Sequence, residues 1–329
     1  MSVDAFGGDN VSNRPQIVID VSAGVRLGDH WQAFFRPWFR EARPTTPGGA
    51  APPWDAEVFQ AGLRYERPGA VGTRVDLGYI VSPIGLGLLD SRANLNPTIA
   101  GHASYFVPLP SFEPTGPRAS AITSTYPLGA AATVSAAHWD ARAAVVTSSP
   151  TRAFMLGNST NPRQTANVIA GAGVTPTIGL RLGVSVARGA YATSDEVTGP
   201  SADSRDATIV GAEGEYSFAY TVIRGEVLRT AFETAAADAV AYEWFIQASQ
   251  TLTPRWFVAA RHEGTLAPPT RTAVASGPRT NLRVVEATAG FRVTPEVTLR
   301  ASYYARRLFG VDMWDNQAGA SIVWARRWW

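Results

Sequence analysis

Apolar and polar side chains alternate along most of this chain. Residues 16–27 put Ile17, Ile19, Val21, Ala23 and Val25 on one side and Asp20, Ser22, Gly24 and Arg26 on the other. The same rhythm runs through 31–40, 71–82, 178–187, 240–249 and 297–306. Weaker copies fall near 55–65, 128–136, 139–148, 165–174, 207–217, 219–230, 255–263 and 282–292, with a last one at 316–326. A period of two is the signature of a β-strand with two unlike faces, and segments of about ten residues match a tilted strand that crosses a bilayer.

The connections alternate as well. Short ones carry turn residues, as in Gly28-Asp29-His30, Arg67-Pro68-Gly69, Thr175-Pro176-Thr177, Thr253-Pro254 and Thr294-Pro295. Long ones, rich in Gly, Pro, Ser and Asn, run over 41–53, 83–120, 149–163, 189–206, 232–238, 264–281 and 307–315. Short turns at one end and long loops at the other are the arrangement of a membrane barrel. Lipid offers no hydrogen-bond partner, so a spanning sheet must close on itself, apolar outside and free to be wet inside. The pattern therefore predicts an all-β chain forming a transmembrane antiparallel up-and-down β-barrel. The segments number about fifteen, and single-chain barrels favour even counts, so about sixteen strands are expected, with fourteen as the alternative. Residues 1–15 read as a polar N-terminal segment and 16–329 as a single barrel. The missing strand is expected to be miscounted or hidden near the N-terminus.

Composition agrees. Charged residues are 17% of the 329 and apolar residues 45%, yet mean hydropathy is −0.05, so apolar content is high without being concentrated. No apolar run is long enough for a membrane helix; Leu128–Val146 is broken by His138, Asp140 and Arg142. Residues Met1–Asn13 lack an apolar core, so no signal peptide is read there and a mature or trimmed form is expected. Cysteine and lysine are absent, which excludes disulfides, thiolate chemistry, Schiff bases and the P-loop lysine. A net charge of +2 without a basic run gives nucleic-acid binding no support. His30, His102, His138 and His262 have no metal-binding spacing, and no nucleophile elbow occurs. Neither an enzyme nor a cofactor or metal site is expected.

With apolar faces on lipid, the inward charges are Arg26, Arg36, Arg40, Arg64, Arg74, Arg142, Arg181, Arg224, Arg261, Arg292, Arg300 and Arg306 among the bases. The acids are Asp20, Asp76, Asp140, Glu213, Glu215, Glu226, Glu243, Glu263 and Glu286. A dry core would not hold so many, because unpaired buried charges cost several kcal/mol each; a hydrated lumen does. The slight excess of Arg makes weak anion preference one expectation, and mutual pairing without selectivity the other. The long loop 83–120 is too apolar and aromatic to float in water, and loops of that length usually carry function. It is expected to fold into the lumen, with Asp90, Arg92, His102 and Glu113 facing wall arginines such as Arg36, Arg40, Arg74, Arg181, Arg224, Arg261, Arg300 and Arg306 to form a constriction. A lid over the mouth or a contact between subunits is the competing reading.

The last segment adds a resemblance. Gln317, Gly319, Ile322 and Trp324, ending on Trp328 and Trp329, resemble the C-terminal assembly signal of bacterial outer-membrane β-barrels. Together with the alternating strands and the loop rhythm, the chain resembles the bacterial porin superfamily, with no subfamily identified. That resemblance implies a place in the outer membrane of a Gram-negative bacterium and insertion by the barrel-assembly machinery. It also implies homotrimers as a common assembly and passive diffusion of small hydrophilic solutes or ions through a channel. Two alternatives stand beside it: a barrel with a plugged lumen in a structural or partner-binding role, and a soluble all-β binding protein.

Overall fold

The computed structural model describes residues 1–8, 16–41, 54–86, 92–156, 158, 161–197, 203–235 and 238–326. Seventeen strand segments form one closed antiparallel sheet. They are β1 (Ser2–Gly8), β2 (Gln16–Asp20), β3 (Ala23–Arg26), β4 (Trp31–Glu41), β5 (Trp54–Arg67), β6 (Gly72–Tyr79), β7 (Leu128–Ser135), β8 (Trp139–Val146), β9 (Asn167–Thr177), β10 (Leu180–Ala192), β11 (Arg205–Phe218), β12 (Thr221–Phe232), β13 (Ala239–Thr251), β14 (Trp256–Leu266), β15 (Asn281–Arg292), β16 (Val297–Arg307) and β17 (Asp315–Trp324). Both β2 and β3 pair with β4, so they are two halves of one strand and the barrel has sixteen. A single helical turn, α1 (Ala103–Phe106), lies in the connection after β6.

The break between β2 and β3 has a local cause. It faces Pro37, which has no N–H to give to the ladder. On the other side of β4 the register shifts at Arg36/Pro37, where Phe59 is the extra residue of a bulge. Elsewhere neighbours in sequence are neighbours in the sheet. β1 closes the cylinder by pairing with β17 from Ser2↔Val323 to Gly8↔Gln317, and with β2. The N-terminal segment read as merely polar thus supplies the sixteenth strand, a correction to the 1–15 boundary. Its outward residues, Val3, Ala5 and Gly7, are too small to announce an apolar face, and its one large apolar residue, Phe6, packs inward on Tyr304 at 5.9 Å.

The alternation maps onto the two faces. Val184, Val210, Val227, Ile246, Val258, Leu299 and Ile322 stand exposed on the outside. On the same strands Ser185, Glu213, Glu226, Gln247, Arg261, Arg300 and Ser321 are buried inside. A soluble sandwich would point those apolar rows at its centre; here they encircle the sheet. Aromatics gather near the strand ends. Trp31 packs on Tyr65 at 5.3 Å and Trp256 on Phe291 at 4.7 Å at the short-turn end. Phe39, Trp54, Tyr242 and Tyr303 are exposed toward the long-loop end, as interfacial girdles require. Short connections such as 178–179 and 219–220 alternate with long ones such as 80–127, 147–166 and 267–280.

An outward apolar residue well inside a strand tests this assignment. Val184 is 60% exposed and lies between Ala172 and Ala212. Val184→Arg is expected to destabilise the barrel in vesicles by about 2–4 kcal/mol, the cost of an arginine on lipid near the midplane. Denaturant titration in phospholipid vesicles measures it, and a neutral result would place this face elsewhere.

Candidate functional site: the lumen and its inward segment

The segment between β6 and β7 turns back into the barrel and lies against the inner wall. Four glutamates, one on each of four consecutive strands, receive it. On β12, Glu226 accepts from Leu86 N at 2.5 Å and Tyr105 Oη at 2.5 Å. On β13, Glu243 accepts from Ser104 Oγ at 3.0 Å. On β14, Glu263 accepts from Ala103 N at 2.7 Å, and His102 Nδ1 lies 2.8 Å from its other oxygen. On β15, Glu286 accepts from Ile99 N at 2.9 Å and Ala100 N at 3.1 Å.

Two wall arginines complete the attachment. Arg261 donates to Glu286 at 2.9 Å and to the carbonyls of Ala100 and Gly101 at 3.0 and 3.1 Å. Arg300 donates to the carbonyls of Ala93, Asn96 and Thr98 at 3.2, 2.9 and 2.6 Å, and to Ser321 Oγ at 2.8 Å. A chain running through the middle of a barrel would leave its peptide groups unpaired, at about 1–3 kcal/mol per group; these side chains satisfy them. Apolar side chains from both sides of α1 and from α1 itself also pack on the wall. Ile84, Tyr105, Ile122 and Tyr126 form a core with Val146, Ile169, Ile209 and Leu228 of the wall, and Phe112 packs on Phe232 at 4.7 Å.

The rest of the lumen is lined by paired charges. Arg36 makes a two-pronged contact with Asp20 at 2.8 and 2.5 Å. Arg64 and Arg74 share Asp76, each at 2.7 Å, and Arg40 lies 3.6 Å from Asp55 and 3.8 Å from Glu57. Arg181 bridges Asp140 and Glu213, both at 2.7 Å, and Glu213 also takes Arg142 at 2.8 Å. Arg224 stands opposite Glu215, and Arg306 lies 2.9 Å from Asp315. Several stay wet: Arg74 is 43% exposed, Arg40 34% and Arg181 25%, although all three point inward.

The expected constriction set does not converge. Arg92 reaches the β5 side, donating to Gln60 at 3.2 Å. Burial, and then the neighbouring charge of Arg36, hold its guanidinium below the ordinary value. His102 is buried against Glu263 of β14. Glu113, also buried, meets Arg205 at 3.3 Å, Tyr191 at 3.2 Å and Ala235 N at 2.9 Å. Asp90 lies outside the described residues. His102 and Glu113 are therefore anchors of the segment rather than groups facing an aqueous path, and Arg261 and Arg300 lie beneath it, not across from it. The reason is desolvation: a carboxylate or imidazole brought this deep needs a partner, and the nearest partners belong to the wall. The glutamates were legible as inward charges, but their role was not, because Ser104, Tyr105 and the amides of 99–103 carried no sequence signal. Among the described residues no group of three His, Asp or Glu side chains is placed to hold a metal.

In the closing strand Gln317 and Gly319 face inward, Gln317 donating to Asp315 at 2.7 Å. Ile322 and Trp324 face outward, and Trp324 N donates to Met1 O at 2.9 Å across the seam. Trp329 lies outside the described residues.

A closed sixteen-strand cylinder, apolar outside and charged inside, with one long segment tucked into it, defines the class: the chain has the fold of the bacterial outer-membrane β-barrels. Solved structures share that fold over nearly the full length. OmpT, an outer membrane protein of Vibrio cholerae, superposes with a TM-score of 0.59 at 10% identity, covering 98% of this chain and 94% of that one. OmpF of Salmonella typhi, in complex with daunomycin, gives 0.56 at 13% identity, covering 98% and 95%. OpdK of Pseudomonas aeruginosa, with vanillate, gives 0.50 at 9% identity, covering 98% and 96%. At such identities the likeness is one of fold. No protein-family model and no curated protein matches the sequence.

Proposed function

We propose that this protein is an outer-membrane porin, a non-catalytic channel for small hydrophilic solutes or ions, with weak anion preference. The observation that carries the reading is the exposure of inward charges. Arg40, Arg74 and Arg181 keep a quarter or more of their side-chain surface open although they point into the cylinder. Guanidinium groups retain hydration only where water reaches them, so part of the lumen is an aqueous path. Arg92, set beside Arg36, adds positive charge on the same side as Arg64 and Arg74. Outer-membrane lipid surrounds the apolar belt, and the assembly machinery and a homotrimer are the partners this reading implies.

Planar-bilayer recording tests it. Single channels are expected, with a reversal potential in a salt gradient that favours anions. The double variant Arg64→Glu/Arg74→Glu is expected to move that potential toward cations. A clear cation preference in the unaltered protein would remove the anion reading. One observation favours a second reading, a plugged barrel: the apolar core that Ile84, Ile122 and Tyr126 build against β8–β12 fills that side of the lumen. Absence of channels in the bilayer would support the plug and overturn the porin.

A further inference from the structure

The outer face of the barrel carries isolated charges toward the long-loop end, such as Arg188 on β10 and Arg229 on β12, and at one place two of them stand side by side. Near the long-loop end of β15 and β16, Arg283 and Arg307 stand directly opposite each other in the ladder. Both occupy outward positions, in step with Val285 on β15 and Tyr303 on β16. Like charges in facing positions of a sheet repel, and here nothing among the described residues offsets them. Arg283 makes no ion pair there, and Arg307 has only the neutral amide of Asn281, at 2.8 Å. Next in the same row is Gly264, paired with Arg283 and with Trp244. The Trp244 indole lies over that glycine so closely that a methyl there would overlap the ring. The row therefore reads as a flat aromatic surface beside two unneutralised guanidinium groups, at the upper rim of the apolar belt.

We propose that this row is a binding site for a phosphorylated lipid headgroup of the leaflet at the long-loop end, with Arg283 and Arg307 holding one phosphate between them. A phosphate offers several oxygens to the planar forks of two guanidiniums and removes the repulsion of the empty row. Trp244 provides the apolar floor for the adjoining acyl chain. Charges at the rim of a bilayer see the headgroup layer, where phosphates lie, and not the hydrocarbon. Met1 and Trp324, joined by Met1 N to Trp324 O at 2.9 Å, lie at the opposite rim, so the site belongs to one leaflet only. The proposal rests on the outer-membrane reading above.

The test uses the full chain folded into phosphatidylcholine vesicles containing either bis-phosphorylated lipid A or its dephosphorylated form. After detergent extraction, native mass spectrometry counts the lipid retained. The unaltered protein is expected to keep the phosphorylated lipid, and Arg283→Gln/Arg307→Gln to lose it several-fold, with an unchanged circular dichroism spectrum and melting curve. Arg283→Lys/Arg307→Lys, which keeps the charge without the fork, is expected to fall between. Equal retention by the unaltered and Gln proteins, or equal retention of both lipids, would overturn the proposal. Inorganic phosphate binding as tightly as the lipid would overturn the lipid source. A chain that does not enter vesicles at all would overturn the outer-membrane reading itself.

Discussion

A chain without Ser2–Gly8 is expected not to form a closed barrel. The reason is directional. In an up-and-down cylinder each strand runs opposite to both neighbours, so closure needs an even number. Removing β1 brings β2 and β17 together running the same way, and their antiparallel ladders have nothing to pair with. Seven residue pairs join β1 to β17 and three join it to β2. In lipid each unpaired peptide group costs several kcal/mol, so the loss exceeds the whole stability of an ordinary domain, about 5–15 kcal/mol. Tryptic digestion of vesicle-reconstituted protein measures the outcome: the full chain leaves a protected barrel, whereas the shortened one is degraded. A shortened chain that stays protected and conducts like the full one would mean that the seam is not where the register puts it.

That seam was also the least legible part of the sequence. Alternation revealed every other strand because the outward faces carry Val, Leu, Ile and aromatic residues. In β1 those positions hold Val3, Ala5 and Gly7, and the phenyl ring of Phe6 turns inward against Tyr304. The usual contrast between faces is absent, so periodicity has nothing to detect. The break at Pro37 escaped for a related reason: residues 19–27 keep their alternation straight through it, and the interruption comes from a proline on the neighbouring strand. The inward segment shows the limit from the other side. Its length and apolar content forecast that it would leave water, but its path is set by contacts such as Ile99 N to Glu286, 187 residues apart. No local pattern encodes a partner that distant. Charges named one by one could be assigned to the lumen; which of them would be covered depended on where the segment came to rest.

Where it rests is decided by the four glutamates, and removing two of them is expected to release it. In Glu263→Ala/Glu286→Ala the amides of Ile99, Ala100 and Ala103 lose their acceptors, at about 1–3 kcal/mol for each buried group left unpaired. Arg261, fully buried, loses Glu286 at 2.9 Å and its more distant neighbour Glu263 at 3.9 Å. Leaving one side of such a pair without its partner costs about 3–5 kcal/mol. The strands keep their ladders, so the cost falls on the attachment and not on the cylinder. Residues 96–103 then leave the wall, while the apolar core around Ile122 and Tyr126 still holds the far part of the segment. The expected result is a protein that stays folded in the bilayer, is cut by protease within this segment, and shows larger and noisier single-channel conductance. Glu215→Ala, at an exposed inward position, is the control and should change none of these. The comparison also separates the two readings of the lumen. A porin conducts before the change and conducts more after it, whereas a plugged barrel is silent before and opens only when the glutamates are gone. Unaltered conductance together with unaltered protease resistance would show that the segment is held by its apolar core alone, and that the glutamate ladder is not its anchor.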